Sequence, residues 1–368
     1  MSTPPPPAEH VAVVPGRDGD GGHVFAVLVK RTYHLRAGGA LRRAEAARAL
    51  AVVDEYHAPG NPERCTVQHE SDLVPFKPAT DVVLVGRGYA PGGAPAEQMD
   101  VELRVGNHRK AVRVTGDRVC AWREGLPPLF SDPRPFTTME LRYERAYGGS
   151  DEKSNPDSPF FYPRNLLGRG VALRNVPDAV HGLPLPNLEY AGDPLTPERV
   201  VIGDPDAWND QPLPAGLAWY PKTAYPRCSF VGVVPGTMDP DTVMREERLG
   251  LVPERQVALF RQRRLPTFDI RFASGASPGL AVPYLRGDEP VRLTGLTPEG
   301  DLAFALPGDV PRLTLDTGTG EEALAPVLHT VCIRTDDGEV DLVWRGARPY
   351  PGIDWLPELR RLDARVYG

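Results

Sequence analysis

Hydrophobic and polar residues alternate along two long parts of the chain, which lie before and after a central stretch rich in proline. In the first part the alternating segments are residues 24–33, 81–89, 99–105 and 110–114. A period of two places successive side chains on opposite faces, which is typical of a β-strand with one buried face. Residues 106–109 between the last two segments are rich in turn formers, so a half-exposed β-hairpin is predicted there.

The second alternating part runs from about residue 229 to the end of the chain. Its predicted strands are residues 268–272, 291–294, 312–315, 331–334 and 340–345, the last two joined by a turn as a terminal hairpin. One helix is predicted over residues 239–249, because Asp239 suits the N-cap and Pro240 the first helical position. The chain is therefore expected to be mainly β with few short helices.

The central stretch, residues 131–226, has neither the period of a strand nor that of a helix. Proline recurs there every few residues, and the whole chain holds 42 prolines in 368 residues, about twice the average usage. Aromatic side chains are also spread through this stretch, whereas disordered segments are poor in them. We therefore expect a long ordered loop region that lies over the flanking sheets and forms part of the working surface.

These patterns predict four regions along the chain. They are a disordered N-terminal tail (1–20), a first β-sandwich-like region (21–130), the irregular region (131–226) and a second β-rich, sandwich-like region (227–368). The tail has neither the basic start nor the apolar centre of a signal peptide. Because no apolar run approaches 18 residues, we expect a cytoplasmic protein with reduced thiols.

Charge, cysteine and histidine usage narrow the function classes. Lys and Arg number 42 against 49 Asp and Glu, and the resulting net charge of -7 argues against a nucleic-acid partner. The cysteines Cys65, Cys120, Cys228 and Cys332 are far apart, and the eight histidines form no HxH or HExxH pair, so no metal site is predicted. Cys228 and Cys332 stand among apolar residues, where buried free thiols are expected. No nucleophile elbow, phosphate loop or dinucleotide fingerprint appears, so no cofactor is expected.

Residues 141–149 combine two aromatics, an adjacent acid–base pair and two glycines in nine positions. Tyr143 and Tyr147 flank Glu144 and Arg145, and the glycines that follow permit positive φ or a close backbone approach. The pattern predicts a strand that runs into a tight turn. It favours a structural corner held by tyrosine hydroxyls and an Arg–Glu pair, although the same residue types also concentrate energy at interfaces.

Carboxylates leave one catalytic alternative open, a β-sandwich hydrolase that uses Glu144, Asp269 or Asp288. Such a site needs two carboxylates about 5–10 Å apart across a cleft. Asp288 and Glu289 are adjacent, and neighbouring strand residues point to opposite faces, so a charged turn is the simpler interpretation. Residues 274–277 have the small side chains of a nucleophile turn, but the Pro-Gly pair that follows favours a plain loop.

Eight short segments follow one another in an order that resembles a known family. They are residues 72–82, 112–118, 143–149, 165–170, 185–189, 214–217, 285–289 and 341–345. Together they resemble the family of the domain of unknown function 2169 (DUF2169) over about residues 20–350, with departures at residues 216–220 and 272–279. The resemblance implies a non-enzymatic adaptor or chaperone, encoded among type VI secretion genes, that loads an effector onto the VgrG–PAAR spike.

The residue pattern agrees with this implication, because pre-ordered loops reduce the entropy cost of binding a partner. The expected partners are an effector or a PAAR-like protein and the VgrG spike, with no nucleic acid, membrane or cofactor. A structural component of the injection apparatus is the other non-enzymatic alternative. The expected partner-binding or motif surface comprises Tyr143, Glu144, Arg145, Tyr147, Gly148, Gly149, Asn165, Gly168, Arg169, Pro186, Asn187, Trp219, Arg286, Gly287 and Asp288.

Overall fold

The computed structural model describes residues 7–231, 258, 261–262, 268–316, 320–350 and 362–367. The predicted helix over residues 239–249 lies outside these residues, as does the start of the predicted tail, residues 1–6. Among the described residues, no helix has both the length and the apolar character needed to cross a bilayer.

Short strands dominate the described chain, which is mainly β as the alternation predicts. In chain order they are β1 (His10–Arg17), β2 (His23–His34), β3 (Arg42–Arg43), β4 (Glu55–Tyr56), β5 (Val67–His69), β6 (Thr80–Val85), β7 (Arg87–Tyr89), β8 (Gln98–Val105), β9 (His108–Thr115), β10 (Cys120–Ala121), β11 (Leu129–Phe130), β12 (Thr138–Glu140), β13 (Tyr147–Gly148), β14 (Ser150–Asp151), β15 (Phe160–Phe161), β16 (Arg169–Gly170), β17 (Leu188–Glu189), β18 (Ala281–Val282), β19 (Pro290–Thr297), β20 (Gly300–Ala305), β21 (Arg312–Asp316), β22 (Glu321–Leu324), β23 (Val327–Arg334), β24 (Glu339–Pro349) and β25 (Asp363–Tyr367). Helical structure comprises α1 (Pro177–Val180) and 3₁₀ turns at Pro62–Arg64, Pro91–Gly93, Tyr143–Arg145, Pro197–Arg199, Pro205–Asp210, Arg227–Val231 and Ile270–Ala273.

One predicted strand, residues 268–272, is wrong. Ile270–Ala273 forms a 3₁₀ turn, and the carboxylate of Asp269 accepts a hydrogen bond from the main-chain N–H of Arg271. An aspartate that caps local backbone in this way competes with strand pairing. The alternation of residue types in so short a segment does not reveal that competition.

Two large sheets organise the chain. The first has the strand order β1-β2-β24-β23-β6-β18, with β3 beside β2, and only its β23–β6 pair is parallel. The second has the order β17-β9-β8-β19-β20 and is antiparallel. The predicted hairpins at residues 99–114 and 331–345 are confirmed as β8–β9 and β23–β24.

Both sheets take strands from the two ends of the chain. β2 pairs with β24 from Val24 to His34, and β8 pairs with β19. Residues 21–130 and 227–368 therefore do not form two separate sandwich-like regions, which corrects that part of the prediction. Alternation identifies a strand from its own residues, whereas its distant partner is chosen by packing between faces.

One hydrophobic core joins the two large sheets. Val27 and Leu84 from the first sheet belong to the same cluster of buried side chains as Leu103 and Leu293 from the second. Full burial of each such side chain contributes about 1.5–3 kcal/mol of transfer free energy. The packing of two sheet faces on a shared core is the arrangement of a sandwich.

The predicted tail folds from residue 10 onward. β1 pairs with β2 in a register that sets His10 opposite Lys30 and Arg17 opposite His23. The predicted disorder is therefore wrong over His10–Arg17. Pairing with β2 gives the backbone of β1 hydrogen-bond partners, which the sequence of the tail does not show by itself.

The irregular region, residues 131–226, contributes most of a second hydrophobic core. Tyr147, Tyr162 and Trp208 are buried there, and their rings meet edge to face with centroids 5.0 and 6.4 Å apart. The region is tied to the second large sheet through β17, which pairs with β9. It lies against the sheets, as the spread of its aromatic residues predicts.

Candidate functional site

Three of the segments that carry the resemblance, residues 143–149, 165–170 and 185–189, converge in space. Tyr143–Arg145 forms a 3₁₀ turn, and β13 then runs parallel to β16. The predicted strand at this point is wrong, because the N–H of Ala146 donates to the carbonyl of Tyr143 and curls the backbone. Asn165, which is fully buried, donates its side-chain amide to the carbonyls of Tyr143 and Tyr147 at 2.8 and 3.1 Å.

Glycines allow these segments to approach closely, as predicted. Gly148 and Gly149 have φ values of 147° and 97°, a backbone region that side chains rarely adopt. At Gly168, a Cβ atom would lie only 2.6 Å from the carbonyl oxygen of Ala146. The junction of the three segments therefore depends on glycine at these positions.

The two tyrosines of the first segment are buried, each with 1% exposure. Tyr143 donates its hydroxyl to Ser277 Oγ at 2.7 Å, and Tyr147 donates to Gln211 Oε1 at 3.3 Å. Burial raises the pKa of both hydroxyls well above the usual value, so both remain protonated donors. The prediction that tyrosine hydroxyls hold this segment in place is confirmed. The expectation that these rings lie on an exposed surface is wrong, because they fill two hydrophobic cores.

Glu144 and Arg145 have different partners, so the predicted Arg–Glu pair is wrong. Thr66 donates its N–H, at 2.8 Å, and its hydroxyl to the carboxylate of Glu144. Arg145 donates instead to Asn187 Oδ1 at 3.1 Å and lies 3.6 Å from Asp117. Consecutive residues of a 3₁₀ turn point about 120° apart, which separates the two side chains.

Asn187 joins the first two segments to the third. Its Oδ1 accepts from Arg145 and, at 3.5 Å, from Arg169, while its Nδ2 donates to Asp117 at 3.0 Å. Arg169 also donates Nε–H to the carbonyl of Glu144 at 2.8 Å. Burial and the nearby positive charge of Arg145 lower the pKa of Arg169, whose guanidinium group still remains charged near neutral pH.

The guanidinium groups line a cleft of about 480 Å³, which we call the arginine cleft. Its lining residues are Asp117, Arg118, Val119, Ser131, Asp132, Arg134, Arg145, Arg169 and Pro184. Arg118 is balanced by Glu189 at 2.7 Å and also donates to the carbonyl of Pro186. The other charges that line the cleft are three arginines and two aspartates, in a chain whose net charge is -7.

Sequence reasoning missed several residues of the arginine cleft. Asp117 and Arg118 end segment 112–118 of the resemblance, although they were not among the predicted surface residues. Arg134 stands in a proline-rich loop without a motif, and its place follows from a hydrogen bond between its main-chain N–H and the carbonyl of Asp117. Only the folded chain brings Arg134 beside Arg145 and Arg169.

A family model described as "uncharacterized protein conserved in bacteria (DUF2169)" matches residues 20–345. The chain belongs to the DUF2169 family. The match confirms the resemblance and includes all residues of the arginine cleft. No curated protein and no solved structure matches the chain.

The remaining predicted surface residues of this DUF2169 protein lie away from the arginine cleft. Trp219 is buried in the main core, where its ring meets His69 edge to face at 5.8 Å. Arg286 and Asp288 form an exposed pair at 3.1 Å in the turn before β19. Gly287 between them has a φ of 90° and packs under the ring of Trp344.

The carboxylates of the hydrolase alternative each have a local partner. Glu144 accepts from Thr66, Asp269 pairs with Arg271 at 2.7 Å, and Asp288 pairs with Arg286. Within the described ranges, no group of three or more His, Cys, Asp or Glu side chains is placed to hold a metal ion.

The burial of the two cysteines agrees only in part with the prediction. Cys332 is buried in the main core, as expected, whereas Cys228 is half-buried in the 3₁₀ turn Arg227–Val231. The apolar sequence neighbours of Cys228 did not indicate this partial exposure. Cys332 is a free thiol in the structure.

A buried polar cluster lies beneath the 143–149 segment of this DUF2169 protein. Lys110 donates to Ser277 Oγ at 2.5 Å and to the carbonyl of Pro278 at 2.6 Å. Ser277 is fully buried and donates to the carbonyl of Gly216 at 2.7 Å. Burial lowers the pKa of Lys110 to about 7. Residues 274–277 are therefore more than a plain loop, since Ser277 connects the second large sheet to Tyr143.

Proposed function

We propose that this DUF2169 protein is a non-enzymatic adaptor of a type VI secretion system. In the cytoplasm it binds an effector or a PAAR-like protein and loads it onto the VgrG spike. The observation that supports this function best is the arginine cleft, which receives residues from the segments that carry the family resemblance. A concave surface built by such segments is a suitable place to hold a partner.

The base of the arginine cleft is held in place before any partner binds. Asn187 is fully buried and contacts both Arg145 and Arg169, and Arg169 is anchored further by the carbonyl of Glu144. Side chains that are ordered in advance lose less entropy on binding. Arginine is also one of the residue types that concentrate binding energy at protein interfaces.

A secretion assay tests the adaptor function. The gene is deleted, and release of the candidate effector and of the tube protein is measured on the same strain. We expect the effector to be retained while the tube protein is still released, because an adaptor acts on cargo and not on contraction. Equal release of every effector from the deletion strain and its parent would contradict the proposal.

Complementation separates the adaptor from the hydrolase alternative. The deletion strain receives the wild-type gene, Glu144→Gln or Asp288→Asn, which remove carboxylate chemistry but nearly preserve shape. An adaptor with either change should restore effector release. Loss of release with a variant that folds and still binds its partner would favour the hydrolase.

A further inference from the structure

The hairpin beside the arginine cleft has an apolar outer face. β10 pairs with β11, which sets Cys120 opposite Phe130 and Ala121 opposite Leu129. Cys120 and Phe130 face inward and pack in the second core. Side chains alternate along a strand, so Val119 and Leu129 point outward, and they are 45% and 57% exposed.

This apolar face is continuous with the charged floor of the arginine cleft. Val119 lines the cleft itself together with Arg145 and Arg134. The hydroxyl of Ser131 accepts from the N–H of Val119 at 3.1 Å, which fixes the edge between the hairpin and the cleft. One surface thus offers cationic groups and apolar side chains next to each other.

The arginines of the cleft retain hydrogen-bonding capacity. Each guanidinium carries five N–H donors. Nη2 of Arg145 and Nη2 of Arg169 make no hydrogen bond to the described residues, and the exposed side chain of Arg134 has no ion pair there. Guanidinium forks match the two oxygens of a carboxylate, and hydrogen bonds between charged groups are about twice as strong as neutral ones.

The surrounding charges favour a carboxylate ligand over a polyanion. Asp117 and Asp132 also line the arginine cleft, and the chain has a net charge of -7. A nucleic acid presents closely spaced phosphates, which two aspartates in the same cleft would repel. A peptide places single carboxylates between apolar side chains, and these match the arginines and the exposed face of Val119 and Leu129.

We propose that the arginine cleft binds an acidic, apolar peptide segment of a protein partner. A carboxylate of the segment pairs with Arg145 and Arg134, and a neighbouring Leu, Ile, Val or Phe side chain packs on Val119 and Leu129. The inference that this segment belongs to an effector or a spike protein rests on the proposed adaptor function. The chemistry of the cleft does not depend on that identification.

A random-peptide display library, selected on the full chain, tests the ligand class. The expected result is enrichment of peptides in which Asp or Glu stands beside a bulky apolar residue. The consensus peptide is then synthesised and titrated, together with a copy in which Asn and Gln replace the acids and a copy in which Ser replaces the apolar residue. We expect each copy to bind at least tenfold more weakly.

Matched protein variants locate the binding site. Arg134→Glu/Arg145→Glu should weaken binding of the consensus peptide at least tenfold, and Leu129→Ser at least threefold. The control is Arg104→Glu/Arg292→Glu, which makes the same change in net charge at two exposed arginines that face each other across β8 and β19. The control should bind like the wild type, and circular dichroism melts verify that all variants fold.

Three results of the peptide titrations would overturn the inference. They are the absence of any enriched acidic peptide, equal binding by the neutral copy, and equal loss of binding in the control variant. Competition by millimolar inorganic phosphate that equals competition by the peptide would assign the cleft to phosphates instead.

If effector release requires the protein but tolerates Arg134→Glu/Arg145→Glu, the cleft inference fails while the adaptor function stands. If the peptide binds but deletion leaves effector release unchanged, the adaptor function fails and the cleft inference stands.

Discussion

Arg169 donates its Nε–H to the main-chain carbonyl of Glu144 over a distance of 2.8 Å. This hydrogen bond joins two segments that lie 25 residues apart in the chain, and it orients one guanidinium group of the arginine cleft. The fold therefore fixes the position of the positive charge of Arg169. The cleft cannot lose Arg169 without a structural consequence, whereas the side chain of Arg134 is exposed.

Arg169→Ala should lower the free energy of unfolding by about 1–3 kcal/mol, because it removes a partly buried donor from the carbonyl of Glu144. Arg134→Ala should change it by less than about 0.5 kcal/mol, since that side chain is exposed. Urea titrations followed by fluorescence measure both values. Equal stabilities of the two variants would contradict the anchoring role of Arg169.

Gly168→Ala should destabilise the protein by about 3 kcal/mol or prevent folding. The added Cβ would lie 2.6 Å from the carbonyl oxygen of Ala146 and 2.8 Å from the Cα of Gly148, and these backbone atoms can move little. Gly192→Ala is the matched control, because a Cβ there has no neighbour within 4 Å among the described residues. Thermal melts compare the two, and a Gly168→Ala protein as stable as the control would refute the close approach.

Glu144 is expected to act through Thr66 and not through catalysis. Glu144→Ala leaves the N–H and hydroxyl of Thr66 without their acceptor and should cost about 1–3 kcal/mol. Glu144→Gln keeps one carbonyl oxygen as an acceptor and should cost less. Urea titration of both variants gives the comparison, and equal costs would show that the hydrogen bonds to Thr66 contribute little.

Lys110 should make stability depend on pH. Its pKa in the folded chain is about 7, below the ordinary value of 10.5. Between these values the unfolded chain binds a proton that the folded chain lacks, so stability rises with pH. The contribution is about 2 kcal/mol from pH 7 to pH 9.

The matching variant is Lys110→Met, which has a similar length and no charge. The unfolding free energy of the wild type minus that of the variant should increase by about 2 kcal/mol as pH rises from 7 to 9. Urea titrations at several pH values measure it. A difference that is independent of pH would mean that Lys110 keeps its ordinary pKa in the fold.

Local sequence patterns predicted much of the fold but little of the site. The hairpin of β8 and β9 follows from strict alternation around a turn, and the glycines at 148 and 149 follow from the need for positive φ. The arginine cleft depends on contacts such as that of Asn187 with Arg145, 42 residues away. Such contacts are set by how distant segments pack, and no periodic pattern records them.

Burial places several residues of the predicted surface inside the fold. Tyr143, Tyr147 and Trp219 are residue types common at interfaces, but the same size and polarity suit them to cores in which each ring fills space. Residue type alone does not separate these two uses. Arg145 and Arg169 were found because they belong to the segments of the family resemblance, and they do line the cleft.

The central claim is that this DUF2169 protein forms a complex with the cargo it loads. The most direct measurement is size-exclusion chromatography with light scattering on the purified chain mixed with each candidate effector, PAAR-like protein and VgrG protein from the same genome. The account predicts a defined complex with at least one of them, which Arg134→Glu/Arg145→Glu weakens and Arg104→Glu/Arg292→Glu leaves intact. If the wild-type chain elutes alone in the presence of every one of these proteins, the account is contradicted.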